Sequence, residues 1–547
     1  MPIIDVNTLS FSFSARPLLR GISLTVGDGE RAALVGPNGC GKTTLLRVIR
    51  GELTPDGGST TIRGVTARER LHLPSATCAY TTAAEYLQAT LAETFALLTR
   101  FNDIAAGLAD DPSSEALANE YDATLARLEA TDAWSLNSRI DETLAGLGLS
   151  QVAGEGRSRR LDALSPGQVA RLELAALLLT RPAVLILDEP TNHLDDGAVA
   201  YLVEQICSWQ GPVLFSSHDR AFIEAVATVI YDLDTAPWEA IVTAEGGGPV
   251  PGVFRCAGAY SDYLAAKTRA RAEHRRIHSA QQEEKRELTA HRRRSEELAR
   301  GGVRLATAQG MAKKFFADRA AATAVRRTRH DDQRLDTLAA HEVRKPRNYD
   351  LRLTLPTSAA TAGLAVSARG AAIPGRLARI TFDLAFGEHL LVTGSNGAGK
   401  STLLQWIAAG HPPHGAQQAS GTIHAMGRIV CVPQQLPAID DPLITPTFWE
   451  EGIGDLGAGI LHPSLWRVPI AQLSDGNQRR VQIAVAIAQT PDILVIDEPT
   501  NYLDLATIEE LERALSAWSG TLIVASHDRW LIDHWQGMRR ELQPARA

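Results

Sequence analysis

Cysteine pairs, aromatic residues and long apolar runs are all scarce in this sequence of 547 residues. The five cysteines include no Cys-x-x-Cys pair, so nothing supports a zinc site, an iron–sulfur cluster or a disulfide framework. No uninterrupted apolar run reaches the roughly 18 residues of a membrane helix, and the start, MPIIDVNTLS, lacks a signal pattern. The sequence therefore predicts a cytoplasmic protein without a membrane domain, with a length typical of about three globular units.

The middle of the chain differs from the rest in charge. Residues 264–346 contain 21 Lys and Arg against 11 Asp and Glu, a balance of +10. The other residues contain 34 basic and 52 acidic side chains, a balance of −18. A basic segment between two acidic blocks indicates an element that binds a polyanion.

This middle segment also has a helical composition. Residues 264–300 and 311–343 lack proline and are rich in Ala, Arg, Glu, Gln and Leu, which favour helices. The glycines between Gly301 and Gly310 predict a turn. We therefore expect a basic helical hairpin over 256–346, with arms of about 50 Å each.

The same set of motifs occurs twice in the chain. The first motif recurs 358 positions later in the chain, and the other three recur 309 positions later. The first copy therefore has 49 extra residues between its first and second motifs. These fall within roughly 86–150, where the apolar spacing is helical. We expect an α/β fold with two copies of one domain, at 1–255 and 347–547, joined by the hairpin. The motifs are GPNGCGKTT (36–44), LSPGQ (164–168), VLILDEPTNHLD (184–195) and SSHDR (216–220), then GSNGAGKST (394–402), LSDGN (473–477), ILVIDEPTNYLD (493–504) and ASHDR (525–529).

The first motif of each copy has the form G-x-x-x-x-G-K-[ST] between a strand-like and a helix-like apolar run, the context of a phosphate-binding loop. Glycines let backbone N–H groups converge on phosphates, and the helix N-terminus adds its positive dipole end. The lysines would reach the β- and γ-phosphates, while Thr43 and Ser401 would ligate Mg²⁺. The predicted loop residues are Gly36, Asn38, Gly39, Gly41, Lys42, Thr43 and Thr44, then Gly394, Asn396, Gly397, Gly399, Lys400, Ser401 and Thr402.

Paired carboxylates end a buried strand-like run in each copy. Acids at the C-terminal end of a strand lie where α/β folds bind ligands. Asp188 and Asp497 are candidate Mg²⁺ ligands, and Glu189 and Glu498 could orient or deprotonate an attacking water. His218 and His527, each after another strand-like run, could contact the γ-phosphate or that water.

The LSPGQ and LSDGN motifs each open a helix. Ser165 and Gln168 have capping-box form, with Pro166 at the first helical position. A capped helix alone is one interpretation. The other adds an anion site that closes on the γ-phosphate held by the opposite copy, and both can hold together.

Taken together, these motifs resemble the ATP-binding cassette superfamily. The tandem pair, the DEPTN-[HY]-LD motifs, the basic helical linker and the stretch from Gly258 to Tyr263 resemble the ABC-F subfamily of ribosome-associated ATPases. The resemblance implies ATP and Mg²⁺ as ligands and a monomer with two head-to-tail composite sites. It also implies a linker that enters the tRNA exit site of the 70S ribosome, near 23S rRNA and the P-site tRNA. The first site would combine Lys42, Thr43, Asp188, Glu189 and His218 with Ser474 and Gly476. The second site would combine Lys400, Ser401, Asp497, Glu498 and His527 with Ser165, Gly167 and Gln168.

The two copies depart from the family pattern in different ways. The resemblance assigns Gln434 to contact Mg²⁺ and water in the second copy, whereas Ser75 occupies the matching position in the first. Serine is shorter, so the first site is expected to be slower or to hold nucleotide only. Phe13 is the candidate for adenine stacking in the first copy, and the second has no clear aromatic equivalent.

Three functions are compatible with this sequence. The first is an ABC-F ATPase that protects the ribosome from antibiotics, and the second is a housekeeping ABC-F translation factor. The third is the ATPase subunit of a multi-chain exporter, which has no evident use for a long cationic projection. The Ala-, Arg- and Gly-rich composition is compatible with an antibiotic producer, so we favour the first.

Overall fold

The computed structural model describes most of the chain. Ser75, Asn396, Lys313 and Lys314, which the sequence analysis singled out, lie outside the described residues, as do the side chains of Arg300 and Arg304. The described residues are 1–13, 17–64, 80–130, 132–192, 194–248, 250, 252–306, 326, 329–346, 363–395, 397–416 and 418–545.

A five-stranded sheet of order β5-β6-β3-β7-β8 forms the centre of the first copy. Its neighbouring strands are parallel except for the antiparallel pair β7 and β8. One face packs on the helix Pro166–Thr180, and the other packs on the helix Lys42–Arg50. Burial on both faces explains why strand sequences such as RAALV are apolar throughout. The strands are β3 (Arg31–Val35), β5 (Leu185–Asp188), β6 (Val213–Ser216), β7 (Val229–Asp232) and β8 (Phe254–Ala257).

The second copy repeats this arrangement with a fully parallel sheet of order β13-β14-β15-β11-β16. The repeat in sequence is therefore a repeat in fold, and the predicted α/β class with two cassette-like domains is confirmed. The strands are β11 (His389–Thr393), β13 (Ile429–Val432), β14 (Ile493–Asp497), β15 (Thr521–Ala525) and β16 (Met538–Glu541).

Each copy also has a three-stranded antiparallel sheet over one face, of order β2-β1-β4 in the first and β10-β9-β12 in the second. These sheets cover the helices that follow the phosphate loops. The strands are β1 (Ile3–Ser12), β2 (Pro17–Val26), β4 (Gly57–Arg63), β9 (Leu364–Ile373), β10 (Leu377–Ala385) and β12 (Ser420–Ala425).

The region 86–150, for which the spacing predicts helices, is largely helical, and four α-helices lie in the described stretch between residue 80 and LSPGQ. They are Ala83–Thr90, Ala92–Asp110, Glu115–Ala130 and Leu136–Gly146. The other α-helices in the described parts of the two copies are Lys42–Arg50, Pro166–Thr180, Asp196–Cys207, Arg220–Val226, Ala236–Ala244, Lys400–Ala409, Pro446–Glu451, Asp475–Ala488, Leu505–Ser516 and Arg529–His534.

A long helix, Tyr260–Ala306, leaves the first copy and is here called the linker helix. It pairs antiparallel with helical residues 329–340, for example through Arg334 Nη2 and Glu284 Oε1 at 2.7 Å. The predicted turn does not begin at Gly301, because the helix continues to Ala306, and residues 307–310 of that prediction lie outside the described residues. Good helix formers on both sides outweigh the cost of about 1 kcal/mol for each helical glycine. Among the described helices, none combines the length and the apolar character needed to cross a bilayer.

Candidate functional site

The first phosphate loop joins β3 to the helix that begins at Lys42. Gly39 and Gly41 have φ of 75° and 103°, in the left-handed region that favours glycine. A Cβ at Gly41 would lie 2.7 Å from Leu19 Cδ2, so a side chain there would also displace this buried leucine. Lys42 is buried, and its Nζ donates to the carbonyl oxygen of Gly36 at 2.9 Å, which holds the ammonium over the loop.

The second loop repeats this geometry between β11 and the helix Lys400–Ala409. Gly397 and Gly399 have φ of 83° and 95°, and Lys400 Nζ donates to Gly394 O at 2.8 Å. A Cβ at Gly399 would lie 2.2 Å from Arg376 O. Both loops therefore combine glycine-rich turns, a lysine ammonium and a helix N-terminus, which together suit phosphate groups.

The acidic strand ends lie beside these loops. Asp188 at the end of β5 accepts a hydrogen bond from Ser216 Oγ at 2.5 Å. Asp497 at the end of β14 lies beside the hydroxyl of Ser401, the residue after the loop lysine. Asp497 Oδ1 is buried and has no hydrogen-bond partner among the described residues. A buried carboxylate oxygen with a free coordination position beside a serine hydroxyl fits a Mg²⁺ ion.

The glutamate after each aspartate is held by the histidine of the same copy. Glu189 and Glu498 both have positive φ, 46° and 51°, a strained conformation for non-glycine residues that is often found at functional sites. His218 Nε2 lies 3.3 Å from Glu189 Oε1, and His527 Nδ1 lies 2.8 Å from Glu498 Oε1. The backbone N–H of each histidine donates to the other carboxylate oxygen, so each glutamate has a defined orientation.

The two pairs differ in electrostatics. Burial raises the pKa of Glu189 to about 7 and lowers the pKa of His218 to about 4. In the second copy, the hydrogen bond to Glu498 raises the pKa of His527 above its usual value. Between about pH 4 and pH 7, Glu189 and His218 are therefore both uncharged. In the second copy, the raised pKa of His527 favours the charged histidine.

The raised pKa of Glu189 has a measurable effect on stability. The folded state binds this proton more tightly than the unfolded state, so stability falls as pH rises from about 4.5 to about 7. Glutamine does not titrate. Glu189→Gln should therefore gain about 2 kcal/mol over the parent between pH 5 and pH 8 in urea unfolding of the first copy.

The control for this experiment is Glu204→Gln, because Glu204 is an exposed glutamate of the same copy. Its stability difference from the parent should not change between the two pH values. If Glu189→Gln also differs from the parent equally at pH 5 and pH 8, burial does not raise the pKa of Glu189.

The helices after LSPGQ and LSDGN begin where the sequence predicts. Ser165 Oγ accepts from the backbone N–H of Gln168, whose Oε1 accepts from the backbone N–H of Ser165, which confirms the capping box. Ser474 also occupies an N-cap, but its side chain makes no capping hydrogen bond. The second helix start therefore keeps its amide donors available to an anion.

The two copies face each other across a cavity of about 950 Å³. Asn38 of the first phosphate loop donates its side-chain amide to Tyr502 O at 3.1 Å. A Cβ at Gly476 would lie 3.3 Å from that same amide nitrogen, so the LSDGN helix start adjoins the first loop. The residues from both copies that line the cavity include Lys42, Thr43, Glu189, His218, Gln434 and His527.

The second expected pairing is less complete in the described residues. The side chains of Ser165 and Gln168 form the capping box with each other, and no described hydrogen bond joins them to the second phosphate loop. Asn396 of that loop lies outside the described residues. The structure thus brings the first loop and LSDGN together, and the pairing of the second loop with LSPGQ stays a prediction.

Sequence reasoning missed Arg479, which is fully buried in the LSDGN helix. Its guanidinium donates to Asp497 O at 2.7 Å, to Glu498 O at 3.0 Å and to Pro433 O. It therefore fixes the acidic strand end together with the residue before Gln434. Comparison of the two copies could have found Arg479, because the corresponding residue of the first copy is Ala170 and the position therefore differs between them.

The structure places Phe13 at the end of β1, where its side chain is 68% exposed and its ring meets Phe11 edge-on at 4.9 Å. An exposed aromatic ring is available for stacking on a base, and the role of Phe13 with adenine stays a prediction. In the second copy, the exposed Arg376 follows β9 and adjoins Gly399.

Two phosphate loops on paired α/β sheets, with the LSDGN helix of one copy against the loop of the other, define a tandem ATP-binding-cassette ATPase. The profile of the ABC transporter family matches residues 19–192 and 377–501, more than half of the chain. The chain belongs to this family and, within it, to the ABC-F subfamily. Below, the two copies are called the first and second cassettes.

Relatives of known name match along almost the whole chain. The "Tylosin resistance ATP-binding protein TlrC" of Streptomyces fradiae is 33% identical over 99% of this chain and 97% of its own length. The "ATP-binding protein Uup" of Escherichia coli K12 is 28% identical over 98% of this chain and 79% of its own length. The "Probable ATP-binding protein YheS" of the same strain is 28% identical over 97% and 77%.

A solved structure shares the fold at lower identity. The complex of the archaeal ribosomal stalk protein aP1 with the archaeal ribosome recycling factor aABCE1 contains a similar chain, with a TM-score of 0.54 and 17% identity. The match covers 98% of this chain and 88% of that chain. It supports the arrangement of two cassettes in one chain.

Proposed function

We propose that this chain is a cytoplasmic ABC-F ATPase that binds the 70S ribosome through its linker hairpin and protects it from an antibiotic. The observation that carries the proposal is a basic helical hairpin between two paired cassettes, in a chain 33% identical along its length to a tylosin resistance protein. A balance of +10 over 264–346 suits rRNA and the P-site tRNA, because nucleic-acid backbones are polyanions.

In the first site, the loop from Gly36 to Thr44 holds the phosphates, and Ser474 with Gly476 closes on the γ-phosphate. The second site uses the loop from Gly394 to Thr402 with Ser165, Gly167 and Gln168. Thr43 with Asp188, and Ser401 with Asp497 and Gln434, would hold Mg²⁺. When bound, Mg²⁺ neutralises charge on the β- and γ-phosphates.

Glu189 and Glu498 are the proposed bases for the attacking water. Each carboxylate accepts a hydrogen bond from the backbone N–H of the histidine in its own cassette, which fixes its orientation, and Glu189 lines the cavity. His218 and His527 hold the carboxylates and could donate to the γ-phosphate. Proton transfer by such a positioned group typically contributes about 10²–10⁴ in rate.

The two sites should contribute unequally to ATP turnover. In the second cassette, the Arg479 guanidinium donates to the carbonyl oxygens of Pro433, which precedes Gln434, and of Asp497 at the end of β14. The first cassette has Ala170 at the position of Arg479, and Ser75 is the expected counterpart of Gln434. Glu498→Gln should therefore remove most of the steady-state turnover, and Glu189→Gln a minor part. Equal losses in the two single variants would show that the sites are equivalent.

Antibiotic protection is tested by expressing the chain in a susceptible strain and measuring growth against a panel of ribosome-targeting drugs. A rise in the inhibitory concentration for one drug class, lost in Lys42→Ala with Lys400→Ala, is the expected result. No rise for any class, together with an ATP-dependent effect on translation, would favour the housekeeping role instead.

A further inference from the structure

The root of the linker helix is bound tightly to the first cassette. Lys267 Nζ lies 2.7 Å from Asp232 Oδ2, and Tyr263 OH donates to the same oxygen at 2.8 Å. All three side chains are buried. Asp232 ends β7, next to the strand that leads into the first phosphate loop. Residues Tyr263 and Lys267 therefore hold the linker helix to the frame of the first nucleotide site.

The same helical face also meets the second cassette. Tyr260 OH donates to Glu509 Oε1 at 2.8 Å, and Arg271 Nη1 lies 3.7 Å from Glu509 Oε2. The Tyr260 ring meets Trp530 edge-on at a centroid distance of 5.2 Å. Tyr260 is fully buried by these contacts. The first turns of the linker helix thus bridge the two cassettes.

Trp530 connects this contact with the second nucleotide site. It follows His527 by three residues, in the segment that begins the helix Arg529–His534. Asp528, next to His527, accepts from Arg220 Nη2 of the first cassette at 2.8 Å. Arg220 is 1% exposed and also donates to Glu512 at 2.7 Å. A shift of the segment from His527 to Trp530 would therefore change the Arg220–Asp528 contact between the cassettes and the Tyr260–Trp530 contact at the linker root.

The internal repeat shows that this contact is specific to one side. The helix Leu505–Ser516 corresponds to Asp196–Cys207, 309 positions earlier. The residues that correspond to Glu509, Glu512 and Trp530 are Ala200, Val203 and Ala221. These three counterparts have neither a carboxylate nor an aromatic ring, so the described part of the first cassette keeps the same fold without the contacts of Glu509, Glu512 and Trp530.

We propose that Tyr260, Arg271 and Glu509 are positioning residues through which closure of the second cassette on the first sets the orientation of the linker. This inference rests on the proposed function for its biological meaning. The root stays on the first cassette through Asp232, so the contact with Glu509 forms or breaks as the second cassette moves. A ligand that stabilises the closed pair then also stabilises one linker orientation, because both depend on the same contact.

The test uses the full chain with Glu189→Gln and Glu498→Gln, so that ATP is not consumed. Two distances are measured with spin labels, each with ATP and with ADP. One joins the two cassettes, and the other joins the linker helix at Ala280 to the first cassette at Glu204, both exposed positions. Ribosome affinity is measured under the same conditions.

Glu509→Ala installs the residue that the first cassette has at this position. Cassette closure with ATP should persist, the ATP-dependent change of the linker distance should disappear, and the ATP-over-ADP ratio of ribosome affinity should fall roughly tenfold. Glu510→Ala is the matched control, because Glu510 pairs with Arg513 on its own helix, and it should behave as the parent.

A linker distance that still follows ATP in Glu509→Ala would overturn the proposal. If that variant also fails to close, Tyr260→Phe decides, because it keeps the ring against Trp530 and removes only the hydroxyl. Loss of closure in Tyr260→Phe would mean that the contact supports closure itself, which contradicts the proposal. If the parent does not bind ribosomes, the proposed function fails, and the linker distance still tests the positioning role.

Discussion

Glu189→Gln combined with Glu498→Gln is expected to lower ATP turnover by about 10²–10⁴-fold and to keep the protein on ribosomes. The substitution preserves side-chain volume and the proposed Mg²⁺ ligands but removes both candidate bases. Bound ATP would contact a lysine of one cassette and the helix start of the other, so the closed pair should persist. The measurements are ATP hydrolysis and ribosome sedimentation with ATP and with ADP.

In cells, the double variant should inhibit translation, because it occupies ribosomes without release. The control is Lys42→Ala with Lys400→Ala, which removes the ammonium groups above both loops and should prevent closure. A double glutamine variant that leaves ribosomes equally fast with ATP and ADP would mean that ATP does not control the bound state.

Removal of the positive charge near the hairpin tip should have the second large effect. Arg292, Arg293 and Arg294 are exposed on the linker helix, and four further basic residues lie nearer the expected tip. Each phosphate contact contributes about −0.7 to −0.9 to the slope of log affinity against log salt concentration. Alanine at all seven positions should therefore reduce the slope by about five and weaken ribosome binding strongly at physiological salt. The positions are Arg292, Arg293, Arg294, Arg300, Arg304, Lys313 and Lys314.

The matched control is Arg276→Ala, because Arg276 pairs with Glu273 within the linker helix nearer its root. It should leave the salt slope almost unchanged, and ATP binding by the seven-residue variant should equal that of the parent. If the variant sediments with ribosomes like the parent across a salt series, the hairpin is not the anchor.

The elements that position the phosphate loops were predictable because they depend on local sequence. An apolar run, a glycine-rich turn and a lysine at a helix start are contiguous, and the structure has β3 ending at Val35 and the helix beginning at Lys42. The capping box of Ser165 was predictable for the same reason, since its partners lie three residues apart. The turn expected at Gly301 was wrong because glycine weakens a helix without forbidding it.

Residues that act over long sequence distances were not predictable in the same way. Arg479 bonds residues 18 and 46 positions away, and Arg220 bonds Glu512, 292 positions away. Comparison of the two copies shows which positions differ, but only the fold shows that these side chains are buried against carboxylates and carbonyl groups. The different pKa shifts of Glu189 and His527 likewise depend on burial and on one hydrogen bond.

The sequence alone determined the repeat, the two phosphate loops, the acidic strand ends and the basic linker, because each is encoded in residues adjacent along the chain. Only the tertiary structure decided that the first phosphate loop faces the LSDGN helix start, how each histidine holds its glutamate, and where the linker root contacts the second cassette. Those features follow from the packing of segments hundreds of residues apart. There, burial and the distance between charged groups control the energy, and neither is visible in a linear pattern.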